Sequence, residues 1–475
     1  MTTTTTENQN SEDKPNKRKK ISSSSGATNG NSEKPTKNRP SAKSRNQPKA
    51  IELTEYSSLD NKELVKIAKA RKITEAPKDR SDLINILYAS EAEEKNAIIG
   101  AGILDILPDQ FGFLRPPGQK NSPNDIHVSR GIIRKNKLRA GDFVLAQIEF
   151  PDEGGSQRYP GVIKVEAVNG MPLEKIENRV QFDKFTSIYP DEQIILESDP
   201  KIMSSRIIDL VSPIGKGQRA LVVAPPKAGK TILLKDIANS IEKNTPDIKL
   251  IVALIGERPE EVTDMRRSVN GEVFSSTFDE PVEDHCKTSE TALERARRLV
   301  ESGQDVVLLL DSLTRLGRAY NIAVPSSGKT LSGGMDPYAL YPPKKFFGAA
   351  RNCEEGGSLT IIATALVDTG SRLDDLIYEE FKGTGNMELH LDRSLAERRI
   401  WPAINIEKSG TRHEELLQNE TTLSKITQIR RIMAAFPSEN NAKTWTEKIV
   451  EGLRASKSNQ DFLDNMQGYL QEQKD

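Results

Sequence analysis

The chain has 475 residues, a formal net charge of −1 and only 5% aromatic residues. Near-neutral charge excludes a global field for polyanions, so any nucleic-acid site must be local. The length predicts about two to four domains, and no apolar run is long enough for a bilayer span or a signal peptide. A reduced, soluble, cytoplasmic protein is expected. Its two cysteines, Cys286 and Cys353, fit no zinc or disulfide spacing.

Residues 1–50 read as a disordered tail, with a Thr run (Thr2 to Thr6), a Ser run (Ser22 to Ser25) and almost no large apolar residue. Eleven Lys or Arg stand against four Asp or Glu, so the tail is net +7 by count. It is either a basic arm adding sequence-independent affinity for RNA or DNA, or solvated chain with no role of its own. Residues 51–92 predict a small helical module. Leu59, Leu64, Ile67 and Ala68 recur at helical spacing, and Leu83, Ile84, Ile86 and Leu87 form a second set after Pro77. Asp60 or Asn61 is placed to cap the first helix and Ser81 the second. So small a module is expected to pack on the next domain.

Residues 93–170 alternate short strand runs with turn signals, over 103–107, 111–114, 126–128, 143–148 and 161–165. Five such strands fit a small barrel of the oligonucleotide-binding (OB) type. Within it lies Phe111-Gly112-Phe113-Leu114-Arg115. Strand alternation puts Phe111, Phe113 and Arg115 on one face. Two rings beside a guanidinium make a platform for stacked bases with a phosphate contact. Arg158-Tyr159 adds a second basic–aromatic pair. The alternative is that both phenylalanines are core; the arginine in register and the scarcity of aromatics favour RNA binding.

Residues 171–205 read as a connector and 206–475 as an α/β motor. The motor is organised around Ala224-Pro225-Pro226-Lys227-Ala228-Gly229-Lys230-Thr231, between the strand-like run Arg219–Val223 and a helix-like run from Ile232. Strand, small-residue loop ending in Gly-Lys-Thr, then helix is the P-loop arrangement. Its backbone N–H groups point at a polyphosphate. Lys230 reaches the outer phosphates, and Thr231 offers its hydroxyl to Mg²⁺. Ala224 stands where the general motif has Gly.

Leu250–Ile255 is a continuous apolar run of the buried parallel type. It delivers Glu257 to a strand end, where ligands sit in open α/β sheets and a carboxylate can orient the water that attacks a γ-phosphate. A helix is expected over 289–302. Val306–Leu310 then runs apolar into Asp311, the Walker B pattern, which places that acid near Mg²⁺. Arg315 and Arg318 share a helix face, with phosphates, a neighbouring subunit or a structural acid as partners. Two small-residue loops, 324–334 with Lys329 and 368–372 with Arg372, suit a phosphate backbone; a disordered surface loop is the alternative for the first. Arg412, in a small-residue turn, suits an arginine finger for a neighbour's γ-phosphate. Trp401 is an adenine-stacking surface or a packing residue.

Together these motifs resemble the bacterial Rho family of transcription termination factors. Besides the barrel and P-loop motifs, the resemblance rests on Glu-Arg-Pro-Glu-Glu-Val from 257, Leu-Asp-Ser-Leu-Thr-Arg from 310, Lys-Lys-Phe-Phe-Gly-Ala-Ala-Arg-Asn from 344 and Tyr-Glu-Glu-Phe-Lys-Gly-Thr-Gly-Asn from 378. It covers residue 51 to near the C-terminus. It implies a RecA-like P-loop motor behind an OB-fold or cold-shock-like barrel. It also implies a homohexameric, RNA-dependent ATPase and 5′-to-3′ RNA–DNA helicase that uses ATP and Mg²⁺ to release nascent RNA from RNA polymerase. By motif, Phe111, Phe113, Arg115, Asp125, His127, Arg158 and Tyr159 fall in the primary RNA site. Lys227, Ala228, Gly229, Lys230, Thr231, Ile232, Arg258 and Trp401 surround the nucleotide. Glu257 resembles the water-activating acid, Asp311 the Mg²⁺-linked one, Arg412 the trans-acting finger and Arg399 a second γ-phosphate arginine. Lys329 and Arg372 fall in the channel loops. His127 stands where a stacking Tyr is common, Arg372 where Lys is frequent, and Gly256 where Asp often lies.

Two rivals share parts of this pattern. A rotary ATP synthase subunit or its export-system relative has the motor, but the Phe-Gly-Phe barrel and helical module argue against it. An RNA-binding scaffold that senses ATP without moving would not need Glu257, Asp311 and Arg412 together.

Overall fold

The computed structural model describes residues 50–475 apart from 74–76, 78, 120–121, 152–157, 435–438 and 472–475. The basic tail therefore lies outside the described residues. Asp60 caps the helix Asn61–Ala70 in a reciprocal capping box with Glu63. The next helix, Arg80–Glu94, is capped by Asp79 rather than Ser81. The Ser81 N–H donates to the Asp79 carboxylate at 2.9 Å, so Ser81 already lies inside the first turn. Leu64, Leu83, Ile84 and Leu87 pack with Leu145 and Ala167 of the barrel, which supplies the apolar surface that two short helices lack.

The barrel strands are β1 (Ile99–Ile106), β2 (Gly112–Arg115), β3 (Ile126–Val128), β4 (Phe143–Glu149) and β5 (Gly161–Val168), closed in the order β1-β2-β3-β5-β4. Leu104, Leu114, Val128, Val144 and Val165 fill the interior. A Cβ on Gly112 would stand 2.6 Å from the Asp105 carbonyl oxygen, so close approach to β1 requires glycine between the two phenylalanines.

Residues 171–205 run along the motor. Phe182, Ile194 and Leu196 are buried in its core, and β6 (Ser187–Ile188) pairs with β11 (Arg351–Cys353). The remaining strands are β7 (Arg219–Ala224), β8 (Lys249–Glu257), β9 (Glu272–Thr277), β10 (Asp305–Asp311), β12 (Ser358–Leu366), β13 (Met387–His390) and β14 (Gly410–Thr411). They lie in the order β14-β13-β7-β12-β10-β8-β9, parallel from β13 to β9. Apolar clusters cover both faces, which explains the unbroken apolar runs of β8 and β10. The ends of β7, β8 and β10 bring the P-loop, Glu257 and Asp311 to one edge.

The helix between β9 and β10 starts at Val282, well before the expected 289. Glu283 and Asp284 in its first turn favour the positive helix start. They also interrupt the apolar stripe that marked the rest of the helix. A buried ion network then joins barrel to motor: Asp142 accepts from Arg179, and Glu301 of this region accepts from Arg139 and forms ion pairs with Arg179 and Arg298.

Candidate functional site

The helix Lys230–Asn244 begins one short loop after β7. Lys227 at φ +68° and Gly229 at φ +87° turn the loop back so that the helix start faces the strand end. A Cβ on Gly229 would lie 2.7 Å from the Trp401 ring, so the indole rests on the P-loop itself. Trp401, Ile232, Ala228, Gly229 and Met203 line a cavity of about 540 Å³, a size that suits a nucleoside. Ile232 is 65% exposed at its wall. Arg258, 3.6 Å from Glu261, and Lys227 are exposed near the loop.

Three predicted residues converge. Lys230 Nζ donates to Glu257 at 3.1 Å and to Asp311 at 2.5 Å. Thr364 donates its hydroxyl to Asp311 at 2.7 Å, and Arg315 Nε lies 3.3 Å from Glu257. Burial, then the charge of Asp311, pushes the Glu257 carboxyl above its usual value against the pull of Lys230 and Arg315. Burial works against the Lys230 ammonium, but the two carboxylates outweigh it and hold it above the usual lysine value. Thr231 Oγ1 lies 3.4 Å from Glu261. Gly256 adopts φ +67°, and a Cβ there would stand 3.3 Å from Arg315 Cδ, so glycine leaves Arg315 room to reach Glu257. Thr364 was missed from the sequence; it is one of three hydroxyl side chains in the strand Ser358–Leu366, so nothing local set it apart.

Arg318 takes the structural acid among its three possible partners. It forks onto Asp374 at 2.7 and 2.8 Å and reaches Ser371 Oγ at 3.2 Å. The Walker B helix, Leu313–Ala323, is thereby tied to the loop that carries Arg372. The other loop touches the same place: a Cβ on Gly333 would lie 2.7 Å from the Leu373 nitrogen. Lys329 and Arg372 are both exposed, and Asp336 tethers the Lys329 loop through the Ser327 N–H at 2.6 Å.

On the barrel, Leu114 and Val128 enter the core, while Phe113 and His127, opposite one another across β2 and β3, stay half-buried on the other face. Phe113 lies 5.1 Å from Tyr159, 5.8 Å from His127 and 5.9 Å from Phe111 between ring centroids. Phe111 lies 5.5 Å from His127. Arg115 sits over the Phe113 ring at 5.4 Å, and Arg158 over Tyr159 at 5.9 Å. The phosphate contact expected of Arg115 does not follow from its surroundings. Its guanidinium is buried, donates to Asp125 at 2.7 Å and also binds Asp105. Arg158 is the exposed cation of the platform.

Burial pushes the His127 imidazole below its ordinary value near 6.5. The unfolded barrel then takes up a proton before the folded one does. The contribution of His127 to barrel stability is full above about pH 6.5 and is lost as pH falls through the lower folded value. Denaturant unfolding should show a smaller loss between pH 7 and 5 in His127→Phe than in wild type; equal losses would discount the imidazole.

Arg412 lies away from the other residues predicted to surround the nucleotide. Its N–H donates to the Asn386 carbonyl, whose own N–H donates to the Arg219 carbonyl, at the start of β7. The P-loop leaves the other end of this six-residue strand, about 17 Å away at roughly 3.3 Å per residue. Arg412 thus sits far from the P-loop of its own chain. Arg399, exposed at φ +64°, is two residues from Trp401 in the chain.

A P-loop with two acids at adjoining strand ends, behind an aromatic-faced barrel, defines an ATPase-type motor joined to an RNA-binding module. Family models match both parts: the ATP synthase alpha/beta family nucleotide-binding domain over residues 204–411, and the Rho termination factor RNA-binding domain over 100–174. The transcription termination factor Rho of Bacillus subtilis is 54% identical over 86% of this chain and 95% of its own length. That of Thermotoga maritima is 52% identical over 88% and 97%. The chain belongs to the Rho family of transcription termination factors. An ATPase from the type III secretion system of pathogenic bacteria shares the fold, with a TM-score of 0.51 at 23% identity over 61% of this chain and 88% of its own. Among the described residues no helix is long and apolar enough to cross a membrane.

Proposed function

We propose that the chain is an RNA-dependent ATPase and 5′-to-3′ RNA–DNA helicase that works in the cytoplasm as a homohexameric ring and pulls nascent RNA from RNA polymerase. The observation that supports it most is the separation of Arg412 from its own P-loop, which leaves the finger for a neighbour's γ-phosphate. Bases stack on Phe111, Phe113, His127 and Tyr159, with Arg158 toward phosphate and Arg115–Asp125 toward base edges. RNA in the channel meets Lys329 and Arg372, and the Arg318–Asp374 tie carries that contact back to the helix that starts beside Asp311. The triphosphate draws Lys230 from its carboxylates, Trp401 and Ile232 flank the base, and Glu257 orients the attacking water. The Thr231 hydroxyl and Asp311 are hard oxygen donors that fit Mg²⁺, which when bound neutralises phosphate charge.

ATP hydrolysis measured with and without poly(C) tests this. Turnover should rise strongly with poly(C). Stacking contributes about 1–3 kcal/mol per base, so the Phe111→Ala, Phe113→Ala double variant should need at least about tenfold more RNA for the same stimulation. Hydrolysis indifferent to RNA would refute the coupling.

A further inference from the structure

The residue after Arg412 is His413, a non-glycine held at φ +58°, ψ +39°. A Cβ makes that left-handed conformation unfavourable, so neighbouring contacts must hold it. Two do. His413 Nδ1 lies 2.9 Å from Glu415 Oε1, and the imidazole packs on Tyr189 with ring centroids 4.8 Å apart at 58°. Tyr189 is 65% exposed and directly follows β6, the strand paired with Asn352 and Cys353. It therefore reaches the Arg412 turn from a separate part of the chain that the sheet already anchors.

The same corner holds two more guanidiniums. Arg219 donates to the carbonyls of Thr384 and Ala350. Arg351 donates to the Ala349 carbonyl and lies 4.6 Å over the Phe182 ring. Burial, then the charges of Arg351 and Arg412, lowers the Arg219 guanidinium. Arg412 is the exposed member.

We propose that Tyr189 and His413 are positioning residues for Arg412: the ring pair fixes the root of the turn from which its guanidinium extends toward a nucleotide held by a neighbouring copy. The proposal rests on Arg412 acting in trans. A rigid root matters because a misplacement of about 1 Å can cost about a hundredfold in rate.

RNA-stimulated ATPase kinetics of the full chain separate the possibilities, with Arg412→Ala as reference. That variant should lose about a thousandfold or more in kcat. Tyr189→Ala should lose about ten- to hundredfold in kcat with little change in KM for ATP, and Tyr189→Phe, which keeps the ring, should recover most of the loss. His413→Gly removes the ring but accepts φ +58° without strain, so its thermal stability should hold or rise while kcat falls. Near wild-type turnover in Tyr189→Ala or His413→Gly, with Arg412→Ala impaired, overturns the positioning role alone. Normal turnover in Arg412→Ala overturns the finger and the positioning role together.

Discussion

Glu257→Gln is expected to lower ATP turnover by about three orders of magnitude or more while nucleotide still binds. The amide keeps the shape of the side chain but cannot take a proton or align water as a carboxylate does. Binding should survive because the P-loop backbone is untouched and Lys230 keeps Asp311 at 2.5 Å. The wild-type pH profile gives a second reading of the same group. Burial and Asp311 raise the Glu257 carboxyl, so a base at this position is lost on acidification at a pH above the ordinary glutamate value of 4.5. Single-turnover hydrolysis and nucleotide binding measured together decide the role. Normal turnover in the glutamine variant would remove Glu257 from the chemistry.

That convergence was legible in the sequence because each of its parts is local. A small-residue loop ending in Gly-Lys-Thr folds within itself, and a parallel strand buried on both faces must be apolar throughout, so its terminal acid stands out. β8 and β10 delivered Glu257 and Asp311 to adjoining strand ends for that reason. The barrel strands were readable from their turns. What pairs across the fold was not readable. Arg115 looked like a free cation on an aromatic face, because only the registers of β1 against β2, Asp105 opposite Phe113, and of β2 against β3, Leu114 opposite Ile126, bring its acids to it. Phe182, Ile194 and Leu196 were hidden in a stretch of Pro and charge, since a residue can be buried by a distant surface without any period of its own. Asp142, Arg179 and Glu301 carry no signal of their own in the sequence, because nothing local marks a charge whose partner is elsewhere in the chain.

Those hidden charges set the largest expected loss of stability. Asp142→Asn should destabilise the chain by about 3–5 kcal/mol. The Asp142 side chain is 0% exposed and that of Arg179 2%. The carboxylate accepts from Arg179 at 2.5 and 2.7 Å, from Asn169 Nδ2 at 2.9 Å and from the Arg139 N–H at 2.8 Å. An amide of the same shape turns one acceptor into a donor facing donors, and it leaves a guanidinium buried without its nearest acid. Burial alone would lower the Arg179 guanidinium; its bond to Asp142 and the charges of Asp142 and Glu301 reverse that and raise it. Glu301 cannot replace Asp142. It lies 3.5 Å from Arg179 Nε and is already shared by Arg139 at 3.0 Å, Arg298 at 3.1 Å and the Phe182 N–H at 2.9 Å. The same substitution at an exposed pair should do little: Glu397→Gln, beside Arg393 with both side chains at least 60% exposed, should cost under about 1 kcal/mol. Denaturant midpoints of the two variants compare them directly. Because Arg139 and Asp142 come from the barrel, Arg179 from the connector and Glu301 from the motor, the barrel should come away first in Asp142→Asn. Stimulation by poly(C) should then fail at denaturant concentrations where nucleotide still binds. Equal midpoints for the two variants would mean that water reaches the seam and screens these charges.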